Sequence, residues 1–153
     1  MKAICTLLMT AFLCSCTPGG MSAILSAGPQ AGVTTIDVNL SAHQPSQTPA
    51  GTSGGYAPAI TTVAVGSAIR FVNSDSFAHT ATAIPGTGTF PAGSPFTASA
   101  QTQSGSEVST SWSTGTLQAG ATSQIITIDT PGTYLFGCFY HYGAPMRGEI
   151  VAQ

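Results

Sequence analysis

Apolar and polar positions in this chain alternate in short runs and do not recur at helical spacing. In residues 33–40, Ile36, Val38 and Leu40 alternate with polar neighbours, the signature of a half-buried strand. Residues 59–65 and 68–73 repeat the pattern on either side of Gly66-Ser67, with Val63, Val65, Ile69 and Phe71 as core candidates. Residues 80–84 can extend as another strand, and residues 107–113 alternate weakly into Trp112. Residues 124–128, 133–138 and 148–152 supply the closing strands. Two stretches break the pattern. Residues 41–55 form a Pro/Gly/Ser loop that carries His43, and residues 85–105 form a long loop expected to be pinned by Phe90 and Phe96. About seven or eight short strands with turn signals between them predict an all-β Greek-key β-sandwich over residues 33–153.

The segment ahead of that domain reads differently. Residues 1–16 join one basic residue, Lys2, to an apolar run, which is an export signal too short and too polar to span a membrane. Leu13-Cys14-Ser15-Cys16 resembles a bacterial lipobox, in which Cys16 would become the acylated N-terminus; an ordinary secretory signal cut somewhat later is the other reading. Residues 17–32 hold Pro, Gly and Ser without a hydrophobic period and read as a flexible tether. The expected location is therefore periplasmic or extracellular, with possible membrane attachment through the N-terminal lipid.

Composition sharpens the picture at two points. Only 5% of the 153 residues are charged, so Ser, Thr and Gly must cover the polar surface, and these suit short strands better than helices. Once the signal is removed, Arg70 and Arg147 are the only fixed cations, which argues against nucleic acid as a partner. Of the four cysteines, Cys5, Cys14 and Cys16 belong to the leader and Cys138 stands alone in the domain. A lone thiol in an exported chain calls for a metal, a reaction or burial.

The surroundings of Cys138 favour the metal. Cys138, His141 and Met146 occupy one short loop, so a thiolate, an imidazole and a thioether can converge on one point. With a second histidine from elsewhere, they would complete the trigonal Cys-His-His site with a weak axial Met that blue-copper electron-transfer centres use. Taken singly, a cysteine or a methionine here would be an ordinary core residue.

Residues 132–153 resemble the ligand loop of the cupredoxin family, with the loop length of plastocyanins and pseudoazurins. Gly132-Thr133-Tyr134 leads into the cysteine and Met146-Arg147-Gly148 leads away from it. Residues 65–73 resemble the strand pair that precedes the first copper histidine, and His79 follows within Phe77-Ala78-His79-Thr80. Residues 113–120 resemble the family's turn ahead of the ligand-bearing strands. The resemblance implies one type 1 copper ion, cycling between Cu(I) and Cu(II), held by His79, Cys138, His141 and Met146. It implies a supporting role for Thr80, whose backbone N–H faces the Cys138 sulfur, and for Asn73, which closes the preceding strand. Ala78 and Thr80 stand where many members have Pro and Asn, so the family's potential does not carry over. The resemblance also places an uncharged electron-transfer patch at Tyr142, Gly143, Ala144 and Pro145, serving transient redox partners such as a cytochrome or an oxidoreductase. Arg147, the one nearby cation, is expected to raise the copper potential or to orient an anionic partner.

With three histidines in the chain, the additional copper sets of multicopper oxidases cannot be built, and a closed four-ligand site leaves no position for substrate. The expectation is an electron carrier and not an enzyme. A copper carrier or store without redox duty is the alternative, and a sandwich that holds zinc or no metal is a further one. His43 is expected to be exposed and not a ligand, and Glu107, Asp129 and Glu149 to be solvated.

Overall fold

The computed structural model describes residues 32–86 and 88–153; the expected export signal, the lipobox-like Cys16 and nearly all of the tether lie outside them. The strands are β1 (Val33–Val38), β2 (Ser46–Thr48), β3 (Gly51–Ser53), β4 (Tyr56–Ala57), β5 (Ile60–Val63), β6 (Ala68–Asn73), β7 (Thr82–Ile84), β8 (Gln103–Ser104), β9 (Ser113–Thr114), β10 (Ile126–Thr127), β11 (Gly132–Gly137) and β12 (Arg147–Ala152). The described residues contain one 3-10 turn, Ala98–Gln101, and no α-helix. One sheet has the order β10-β6-β1-β4 and the other β5-β12-β11-β7-β9-β8, with β2 and β3 paired as a separate hairpin.

Alternation along the strands produces the sandwich. Ile36 and Val38 of β1 and Ile69 and Phe71 of β6 turn inward from the first sheet, and Phe136 of β11 and Ile150 of β12 meet them from the second. Trp112 stacks on Phe71 with ring centroids 5.7 Å apart, and Phe136 meets Phe71 edge-on at 5.2 Å. Such aromatic pairs add about 1 kcal/mol each beyond the area they bury. Tyr134 ties off the corner before β11, its hydroxyl donating to the Thr130 carbonyl at 3.0 Å.

Three expectations change. Val65 is 42% exposed, because the chain leaves β5 at Val63 and turns at Gly66 before it can bury a further residue. The stretch 41–55 contains the β2–β3 hairpin, a hydrogen-bonded pair of its own whose end leans on β12, with the buried Ser53 hydroxyl donating to the Arg147 carbonyl. Glu149 is 2% exposed where a solvated carboxylate is expected, its Oε1 accepting the Ala50 N–H at 3.3 Å.

Register brings the candidate ligands to one end. Gly137, the last residue of β11, pairs with Thr82 on one side and Arg147 on the other. Cys138, His79 and Met146 all lie just past those pairing points, so three distant parts of the chain leave the sheet together.

Candidate metal centre

The first ligand loop runs from β6 to β7 and is braced by polar side chains. Asn73 is fully buried and its amide donates to the Phe77 carbonyl at 2.8 Å and the Leu117 carbonyl at 2.9 Å, while its Oδ1 accepts the Asp75 N–H at 3.0 Å. His79 is locked to Leu117 by backbone bonds in both directions, 3.1 and 2.7 Å. Asn73 therefore shapes the loop and does not itself face the ligands.

The second loop, between β11 and β12, braces itself. Cys138 N–H donates to Met146 O at 3.0 Å, and the Met146 and Ala144 N–H groups both donate to His141 O, at 3.2 and 2.9 Å. Thr80 joins the two loops. Its backbone N–H lies 3.4 Å from Cys138 Sγ, its Oγ1 accepts the Phe139 N–H at 2.8 Å, and its carbonyl accepts the Tyr56 hydroxyl at 2.5 Å. Where many cupredoxins have Asn, this shorter side chain still makes a cross-loop bond, because a backbone N–H comes to meet it.

His79, Cys138 and His141 are brought into one cluster. Cys138 Sγ is 3.8 Å from His79 Nδ1 and 3.7 Å from His141 Nδ1, and the two nitrogens are 3.2 Å apart. The point equidistant from the corners of such a triangle lies about 2.1 Å from each, the length of a metal–imidazole bond and a little under that of a metal–thiolate bond. One buried thiolate with two imidazoles is a donor set suited to copper. The group is compatible with one type 1 copper ion.

Burial pushes the Cys138 thiol above its ordinary value, against the pull of the Thr80, His141 and Tyr140 N–H groups. Burial also lowers both histidines, although Asp75 pulls each of them the other way. The imidazoles are thus held neutral, as ligands must be, and the thiol is the group that has to release a proton to a metal.

Met146 is fully buried in the same cluster as Cys138. It rests on Gly55, whose φ of 72° and lack of a side chain are both required: a Cβ there would lie 2.5 Å from Met146 Cγ.

At the surface, His141 is half-buried and Phe77, 39% exposed, packs on both histidine rings at 5.4 and 4.8 Å. Of the expected patch, Gly143 and Ala144 are exposed and Pro145 is half-exposed. Tyr142 does not belong to it. Only 2% exposed, it donates its hydroxyl to Pro91 O at 2.9 Å, meets Phe96 edge-on and carries the Arg147 guanidinium 4.4 Å over its ring. Phe90 and Phe96 do pin the long loop, packing against the cluster of Ala50, Ile84, Leu135 and Tyr142. Arg147 is consequently clamped between Tyr142 and Phe90 on the flank. His43 lies outside the triangle; its side chain is 24% exposed and is paired with Asp37 at 2.6 Å. Sequence reasoning missed Phe77 and Asp75; their one signal was an aromatic and a carboxylate two and four residues ahead of a candidate ligand.

The profile of copper binding proteins of the plastocyanin/azurin family matches residues 48–153. The chain belongs to that family. Among solved structures, a purple cupredoxin from Nitrosopumilus maritimus is 18% identical with a TM-score of 0.50, covering 78% of this chain and 99% of that one, which shows a shared fold. Oxidized plastocyanin from Dryopteris crassirhizoma is 23% identical over 78% of this chain and 100% of its own, with a TM-score of 0.49. A copper-containing nitrite reductase from Thermus scotoductus is 21% identical over 78% of this chain and 22% of its own, with a TM-score of 0.48. No curated protein matches the chain at the sequence level.

Proposed function

We propose that this protein is a blue copper electron carrier, passing single electrons between redox partners outside the cytoplasm. The observation that carries the reading is the preformed triangle of His79, Cys138 and His141 donor atoms, shut from solvent except along His141. Met146 would supply a fourth, weaker thioether ligand. Copper held there would supply a one-electron couple. The chain's own part is to hold the geometry of the triangle. Thr80 and Asn73 fix the approach of the two loops, and Met146 and the buried aromatics keep water out. His141, with Phe77 beside it, leads to the surface. The uncharged face of Phe77, Gly143, Ala144 and Pro145 suits brief encounters of small area with a redox protein. With three histidines in the sequence and two of them in the triangle, too few remain for a second copper set, which favours a carrier over an enzyme.

Residues 1–16 support export, and Cys16 is the proposed site of acylation; the absence of label after growth with a lipid precursor would remove the anchor. The function itself is tested by loading the protein with copper and recording its visible spectrum. An intense thiolate-to-copper charge-transfer band, abolished by Cys138→Ser, supports the carrier. A colourless protein whose copper exchanges freely indicates carriage or storage of the metal instead.

A further inference from the structure

His79 has a second nitrogen, and its partner is unusual for so charge-poor a chain. While Nδ1 faces Cys138 and His141, Nε2 lies 3.2 Å from Oδ2 of Asp75. Both side chains are shut from water, His79 at 0% and Asp75 at 5% exposure. Asp75 is held in place from several directions: the Leu40 and Ser41 N–H groups donate to the same Oδ2 at 2.9 and 3.4 Å, and the Ser76 N–H donates to Oδ1 at 2.8 Å. With three backbone N–H groups already donating to its two oxygens, the Asp75 carboxylate is the acceptor of this cluster, so the His79 ring donates to it through Nε2. The Nδ1 lone pair is left aimed into the triangle.

We propose that Asp75 is a positioning residue of the metal centre: it fixes the His79 tautomer and, as a buried anion one ring away, biases the site toward Cu(II). A histidine that donates to a carboxylate is a stronger donor to its metal than one that donates to a neutral group. The more highly charged oxidation state benefits more from that extra donation and from the nearby negative charge. The proposal rests on the copper reading above for its second half, whereas the tautomer holds for the chain with or without metal.

Two measurements test it. In Asp75→Asn, near-isosteric and uncharged, Cu(II) affinity is expected to fall tenfold or more relative to Cu(I). For one electron, the relation of 59 mV per decade converts this to a reduction potential higher by about 59 mV or more. Competition titrations with each oxidation state and direct electrochemistry read the two quantities. A folded Asp75→Asn protein with an unchanged affinity ratio and potential would reduce Asp75 to a clasp for the Leu40–Ser41 backbone and overturn the proposal. If that variant does not fold, nitrogen-15 spectra of the histidine rings in the metal-free wild type decide the matter. A protected Nε2–H on His79, with Nδ1 unprotonated, supports the positioning role; a proton at Nδ1 or an even mixture of tautomers overturns it. A wild type with the Nε2–H signal but no copper–thiolate band supports positioning by Asp75 while overturning the carrier function, so the two failures are separable.

Discussion

The two loops that carry the ligands are built on opposite plans. The loop from residue 74 to 79 is held largely from outside: Asn73 and the Leu117 backbone grip it, the Leu40 and Ser41 N–H groups hold its Asp75, and its histidine is wholly buried. The loop from 138 to 146 closes on its own backbone through Met146 and His141, and its histidine reaches half-way to solvent. In the proposed carrier the contrast would separate two requirements. One ligand would be immovable, so that geometry survives a change of charge; another would be reachable, so that an electron has a short way out. Thr80, with one bond to each of Cys138 and Phe139, keeps the two plans in register.

If bracing from outside is what holds the first loop, its hub should be the costliest residue to remove. Asn73→Ala takes the side-chain partner from the Phe77 carbonyl and the Asp75 N–H and leaves the Leu117 carbonyl with the His79 N–H alone, and should lower the stability of the metal-free protein by about 3 kcal/mol in urea denaturation. A loss below about 1 kcal/mol would mean that the loop holds itself after all. The histidines offer a direct comparison of the two plans. His79→Ala opens a buried space and strips Asp75 of its ring partner, so it should cost about 2 kcal/mol more than His141→Ala, whose neighbours are partly wet. Equal losses would erase the distinction.

The smallest effect is one of pH. Burial lowers the affinity of both histidines for protons in the folded chain, so as pH falls through about 6.5 the unfolded chain takes up protons first and stability declines. The urea midpoint of the metal-free protein should therefore drop between neutral and mildly acid pH. Replacing His79 should flatten that slope more than replacing His141, because His79 is the more deeply buried of the two.

Much of this was legible before any coordinates. The strands around Ile36, Ile69, Phe136 and Ile150 announce themselves by alternation, and the triangle by residue types that have little reason to cluster otherwise. What stayed hidden depends on contacts far apart in sequence. Tyr142 stands next to His141 and looks like part of the same surface, but Pro91 and Phe96, some fifty residues earlier, bury it. Glu149 reads as solvated until the Ala50 N–H arrives from the hairpin region. The β2–β3 hairpin is obscured by its own composition, since strands of three polar residues between prolines and glycines leave no period to detect. Asp75 was visible as a residue but not as a partner, because only the turn after Asn73 aims its carboxylate at Nε2.

Gly55 acts as a mechanical stop. The Met146 backbone is held by its own loop, but the room for its side chain is left by a bare stretch of backbone ahead of β4. Any side chain at residue 55 would displace the thioether at once, leaving every proposed ligand intact and the site out of tune.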